Sequence, residues 1–148
     1  MPQSLSQILV HLVFSTKDRR PLLTPQIQPQ IFAILAQALI QLGAHPLKVG
    51  GHLDHVHLFF NLGKQSSISN LVRDLKTDSN KWMKGQGQLD FAWQTGYAAF
   101  SVAMQDKDKV VRYIATQAEH HGTHDFKTEL KAFLERAQIP YDERYLWD

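Results

Sequence analysis

Cysteine is absent from the 148 residues of the chain. A disulfide framework, a thiolate metal site and catalysis by a thiol are therefore all excluded. Any metal ion has to be held by imidazole, carboxylate or amide groups instead. The eight histidines of the sequence are the first candidates for such a site.

Long apolar runs are also missing. The N-terminal segment has no basic start, and His11 interrupts its apolar stretch, which predicts neither a signal peptide nor a membrane span. We therefore expect a cytoplasmic protein. Apolar residues make up 43% of the chain and charged residues 20%, values typical of globular proteins, and this length predicts one domain over residues 1–148.

Strong net charge is a further absence, since the formal value is only +2. The distribution is nevertheless uneven: residues 1–112 contain 12 Lys and Arg against 7 Asp and Glu, whereas residues 113–148 contain 4 against 7. A basic excess of this size favours a polyanion partner, although many ordinary proteins have one. The candidate phosphate contacts are Lys17, Arg19, Arg20, Lys76, Lys81, Lys84 and Arg112.

Hydrophobic periodicity predicts alternating strands and helices. We predict strands over residues 7–15, 47–51, 53–61 and 91–103, the last interrupted near Gly96. Helical spacing and capping residues predict helices over residues 24–43, 66–84, 106–121 and 126–139.

The order of these elements predicts an α+β fold. A strand–helix–strand–strand–helix–strand order is typical of a ferredoxin-like antiparallel sheet with helices mainly on one face. The two C-terminal helices are additions to that arrangement. We expect the other face of the sheet to be open to a ligand.

A pair of histidines lies on the third predicted strand. His55 and His57 project from the same side of a strand, where two imidazoles reach one cation. The pair alone is a weak signal, because exposed or structural histidines share this spacing. Asp54 and His11 are not predicted as ligands: each is either structural or a partner that orients a ligating histidine.

The third predicted helix contains the segment YIATQAEHH. Helical geometry places Tyr113, Gln117 and His121 along one side, with His120 adjacent. This face offers a phenol, an amide and an imidazole. A tyrosine at the rim of the core and histidines that favour the helix dipole are the structural alternatives.

Several separated segments of the chain occur together in one family. They are STKDRRPLL after the first strand, DHVHLFF, LKTDSNKW, WQTGYAAFSV and YIATQAEHH, in this order. With them the chain resembles the HUH endonucleases over nearly its whole length. It is most similar to the single-tyrosine transposases of the smallest insertion sequences and to their REP-associated relatives.

The resemblance implies an HUH endonuclease fold and a mechanism. Tyr113 would be the nucleophile, and His55, His57 and Gln117 would hold Mg or Mn. The enzyme would cleave single-stranded DNA that carries a hairpin. A 5′-phosphotyrosine intermediate and a free 3′-hydroxyl would allow rejoining during DNA transposition. A homodimer with composite active sites is also implied.

Two other functions fit the same residues. One is a domesticated module that binds hairpin DNA on this scaffold without moving it. The other is a metal-dependent hydrolase that activates water with His55, His57 and His121, in which Tyr113 is structural. The sequence assigns no role to His120.

Overall fold

A computed structural model of the chain describes residues 2–120 and 125–148. The strands are β1 (Leu9–Ser15), β2 (His45–Gly51), β3 (His55–Asn61) and β4 (Ala98–Val102). The helices are α1 (Gln28–Gln41), α2 (Ile68–Gly85), α3 (Lys107–Ala115), α4 (Gln117–His120) and α5 (Phe126–Arg136). Among the described residues, no helix is both long and apolar enough to cross a membrane.

The four strands form one antiparallel sheet in the order β2-β3-β1-β4. Strand β1 lies in the interior of the sheet and pairs with both β3 and β4. This is the strand order of a ferredoxin-like fold, in which β3 pairs between two strands that a helix connects. The predicted α+β architecture is therefore confirmed.

One face of the sheet packs against α1 and α2. Alternate residues of the two central strands point to this face and form the largest core cluster with both helices. From the strands it receives Val10, Leu12, Phe14, Val56, Leu58 and Phe60, which are at most 2% exposed. Burial of this apolar surface is the main source of stability for such a layer pair.

The second face is covered as well, which differs from the open face expected above. Val13 packs against α5 through Phe126, Leu130 and Leu134, and a neighbouring cluster joins the sheet to α3. The physical reason is that this face also bears apolar side chains, which have to be removed from water. All seven residues of β1 are consequently buried.

The helix predicted over residues 106–121 is divided in two. It ends at Ala115 and resumes at Gln117 as the short helix α4. The Thr116 hydroxyl donates a hydrogen bond to the Arg112 carbonyl at 3.0 Å, and such bonds compete with the regular helix and bend it. His121, where the predicted helix ends, lies outside the described residues.

Gly50 in β2 sets the distance between the sheet and α3. A Cβ at this position would lie 2.7 Å from Cγ2 of Ile114 and 3.0 Å from its carbonyl oxygen. Ile114 is buried and follows Tyr113 directly in α3. Only glycine therefore allows α3 to lie at its observed position on β2.

We expect Gly50→Ala to lower the free energy of unfolding by about 1–3 kcal/mol, as overpacking typically does. Urea unfolding followed by circular dichroism would measure the change. Gly85→Ala is the matched control, because a Cβ there meets nothing within 4 Å, and it should leave stability unchanged or slightly raised. Equal stability of Gly50→Ala and the wild type would contradict this packing.

Candidate active site

The two histidines of β3 lie side by side on the face covered by α3 and α5. His55 and His57 are both 0% exposed, and their ring centroids are 5.1 Å apart. The intervening Val56 points to the other face and belongs to the main core cluster. The alternation predicted for this strand therefore brings both imidazoles to one place.

Each imidazole is held through its Nδ1 atom. Nδ1 of His55 lies 2.8 Å from Oδ1 of Asp54, and Nδ1 of His57 lies 2.8 Å from Nε2 of His11. Asp54 and His11 thus orient the two histidines, which was one of the two roles left open by the sequence. Both Nε2 atoms are directed towards a common centre, where they meet Gln117 and Glu129.

His11 is itself buried between the sheet and α5. Its ring stacks on that of His57 at 5.0 Å and meets the edge of Phe133 at 5.3 Å. Burial, together with the neighbouring His57, lowers the pKa of His11 to about 3. A neutral His11 has one N–H and one lone pair, so it can serve Nδ1 of His57 as donor or as acceptor.

Tyr113 and Gln117 approach the same centre from α3 and α4. The ring of Tyr113 lies edge-on to His57 with centroids 5.8 Å apart. The Gln117 amide nitrogen donates to the Tyr113 carbonyl at 3.4 Å, and its Oε1 lies 3.0 Å from Nε2 of His55. The predicted nucleophile and third ligand therefore both reach the histidine pair within one chain.

The Tyr113 phenol is held in its protonated form. Burial raises its pKa above the usual value, and so do a hydrogen bond to the Glu129 carboxylate and the charge of that group. A hydrogen bond from Gln117 and the charge of Arg136 act in the opposite direction. A phenol in this state has to be positioned and its target made more electrophilic before it can attack.

Glu129 is the site residue that the sequence prediction missed. It lies on α5, is 8% exposed, and its Oε1 is 2.8 Å from Nε2 of His57. A signal was present: residues 126, 130, 133 and 134 form the apolar stripe of this helix in the sequence, and residue 129 falls inside it. An acidic residue at such a position is seldom buried without a partner of opposite charge or a hydrogen-bond donor.

The donor atoms at this centre fit a divalent cation. Within the described residues, one ligand atom each of His55, His57 and Glu129 lie within 4.8 Å of one another, so these three residues could hold a metal ion. Oε1 of Gln117 lies beside them, 3.0 Å from Nε2 of His55. Neighbouring oxygens of an octahedral Mg²⁺ site are about 3.0 Å apart, given metal–oxygen distances of about 2.1 Å.

Hydrogen-bonding chemistry points the same way. Because Asp54 accepts the Nδ1 proton of His55, a neutral His55 presents a lone pair at Nε2. That lone pair faces the amide oxygen of Gln117 across 3.0 Å. A metal ion shared by these two acceptors would account for their short separation.

A cavity of about 800 Å³ opens beside the tyrosine. It lies between β4, α3 and α5, and Tyr113, Glu129, Phe133 and Arg136 are among its lining residues. The phenol is therefore accessible from the side of β4, while α5 covers the histidines from above the sheet.

The predicted DNA contacts occupy different surroundings. Lys81, Lys84 and Arg112 are exposed on α2 and α3. Lys17, Arg19 and Arg20 follow β1 in a short turn, where Arg20 pairs with Asp90 at 2.8 Å. Their contacts with DNA stay predictions.

Lys76 differs from the other basic residues because its ammonium is directed into the protein. It donates to the carbonyls of Gln94 and Gly96 at 2.8 Å and of Thr95 at 3.2 Å. Burial lowers its pKa to about 8. In this conformation Lys76 fixes the loop before β4.

Comparison with known proteins identifies the family. Residues 4–117 match the family model of the IS200-like transposases. The chain belongs to this family. No curated protein matches this IS200-like transposase significantly.

Solved structures share the fold. A candidate transposase from Deinococcus radiodurans R1 superposes with a TM-score of 0.63 and 22% identity, covering 79% of this chain and 98% of that one. A REP-associated tyrosine transposase bound to a REP hairpin superposes with a TM-score of 0.60 and 17% identity, covering 82% and 75%.

We expect Asp54→Asn to weaken metal binding by about 10–100-fold, because partners that orient ligating histidines typically contribute this much. Isothermal titration calorimetry with Mn²⁺ would measure the affinity. Asp90→Asn, at an exposed ion pair with Arg20, is the control and should bind as the wild type does. Unchanged affinity of Asp54→Asn would refute the orienting role.

Proposed function

We propose that this IS200-like transposase cleaves and rejoins single-stranded DNA through a covalent bond to Tyr113. One observation carries the proposal: two imidazoles, an amide oxygen and a carboxylate converge in a buried site beside a tyrosine. The ring centroids of Tyr113 and His57 are 5.8 Å apart. Membership of the family supports a role in DNA transposition.

His55, His57 and Gln117 are proposed to hold the cation, Mg or Mn, and Asp54 and His11 keep the imidazoles oriented. When bound, the ion would offset negative charge on the scissile phosphate and favour in-line attack. Oxygen donors suit both Mg and Mn, so the donor set does not choose between these two ions.

The part played by Tyr113 follows from its chemistry. Its hydroxyl oxygen forms a bond to phosphorus, the bond from phosphorus to the 3′-oxygen breaks, and the proton lost by the phenol is balanced by the proton that the leaving 3′-oxygen gains. This leaves a 5′-phosphotyrosine and a 3′-hydroxyl. The phosphotyrosine intermediate is itself a phosphodiester, because one P–O bond has replaced another. Attack by a 3′-hydroxyl on this phosphorus therefore reverses the step. Joining therefore needs no nucleotide cofactor.

The proposed substrate is single-stranded DNA that carries a hairpin. The support is the REP-associated transposase, which is bound to a REP hairpin, and the basic excess before Tyr113. The residues proposed to contact phosphates are Lys17, Arg19, Arg20, Lys81, Lys84 and Arg112. Lys76, the other candidate from the sequence, already donates to three backbone carbonyls.

A homodimer is part of the proposal, and light scattering should then give twice the chain mass of 17.0 kDa. Tyr113 and His57 meet within one chain here, so composite sites would require α3 to exchange between two copies. A particle of single-chain mass at micromolar concentration would contradict the dimer.

The decisive experiment detects the covalent intermediate. Wild-type protein incubated with Mn²⁺ and an end-labelled, hairpin-bearing oligonucleotide should give an adduct that survives denaturing electrophoresis. Tyr113→Phe should abolish it, because the nucleophilic oxygen is lost, whereas Tyr145→Phe, which changes an exposed tyrosine, should retain it.

The other outcomes separate the alternative functions. Cleaved DNA without attached protein would indicate a hydrolase that uses water, and binding without cleavage would indicate a DNA-binding module. An adduct that persists in Tyr113→Phe would overturn the assignment of the nucleophile.

A further inference from the structure

The family match ends at residue 117, and α5 lies beyond it. Helix α5 nevertheless contributes Glu129 to the centre of the site. The helix begins with a cap, since the Asp125 side chain accepts a hydrogen bond from the Thr128 backbone at 2.9 Å. A segment outside the family match thus forms part of the chemical site.

The carboxylate of Glu129 lies where the donor atoms meet. Its Oε1 is 2.8 Å from Nε2 of His57 and 3.7 Å from Nε2 of His55. It also accepts a hydrogen bond from the Tyr113 hydroxyl. A single carboxylate therefore contacts both the histidine pair and the phenol.

Two aromatic side chains of α5 position this carboxylate. The Phe126 ring stacks on His55, with centroids 4.3 Å apart and planes inclined by 16°. The Phe133 ring meets Tyr113 edge-on at 5.5 Å. Because these residues lie about one helical turn before and after Glu129, docking of α5 fixes all three contacts together.

We propose that Glu129 is a fourth protein ligand of the cation and that it couples metal binding to the docking of α5 over the site. The inference deepens the proposed function, because it rests on a cation held by His55, His57 and Gln117. A carboxylate adds a negative charge and a hard oxygen, which divalent Mg and Mn prefer.

Linkage makes the coupling measurable. If a ligand comes from α5, the cation binds the docked state more tightly than the undocked one, and binding must stabilise docking by the same factor. Metal should therefore slow amide hydrogen exchange in α5, whose opening exposes the backbone to solvent.

The test compares two charge-neutralising substitutions in the same helix. Glu129→Gln should weaken Mn²⁺ binding at least tenfold by calorimetry, and Mn²⁺ should no longer protect the α5 amides. Glu135→Gln is the matched control, because Glu135 is exposed on α5, and it should retain both affinity and protection. Wild-type affinity and protection in Glu129→Gln would overturn the inference.

A control measurement is needed to show that Glu129→Gln is folded. Hydrogen exchange of β1 and β3 in EDTA shows whether Glu129→Gln is folded. If it is not, Glu129→Asp, which keeps the carboxylate on a shorter side chain, should be folded and bind Mn²⁺ more weakly than the wild type; equal affinity would overturn the inference.

Metal binding and formation of the DNA adduct are measured separately, so the two proposals can fail independently. Tyr113→Phe tests metal binding without the nucleophile. This variant should still bind Mn²⁺ and protect α5, because its ligands are intact. Metal-dependent protection of α5 without any DNA adduct in the wild type would refute the proposed function alone. An adduct together with wild-type metal binding in Glu129→Gln would refute only the role of Glu129.

Discussion

Antiparallel pairing of β1 with β3 is the constraint on which the site depends. In this register His57 lies opposite Val13, so that His11, two residues away on the same face, reaches Nδ1 of His57. A shift by one residue would turn the histidines into the core formed with α1 and α2. The register is fixed because both faces of these strands are buried. The positions of His11, His55 and His57 relative to one another are therefore fixed as well.

Burial of polar groups in the second layer is balanced by their mutual contacts. His55, His57, Gln117 and Glu129 are all buried, and isolated polar groups there would destabilise the fold. Their hydrogen bonds converge on one centre, and the rings of Phe126, Phe133 and Tyr113 pack around it. The same cover that stabilises this layer thus gives the site the low-dielectric surroundings in which charge interactions are strong.

The sequence predicted the placement of side chains correctly where local periodicity decides the direction in which a side chain points. The spacing of two residues placed His55 and His57 on one side of β3, and the helical spacing placed Gln117 near Tyr113. Glu129 was not predicted: its place inside the apolar stripe of α5 was a signal of burial, but the groups that it contacts depend on where α5 packs, and no local pattern encodes that docking. The three carbonyl contacts of Lys76 were missed for the same reason, since they join α2 to a distant loop.

The family match ends at residue 117, before the helix that covers the site. A gene shortened just after Gln117 would still encode the whole region that matches the family model. Its product would lack Phe126, Glu129 and Phe133, and the two histidines would face solvent. The match to the family and the enclosure of the site therefore depend on different parts of this chain.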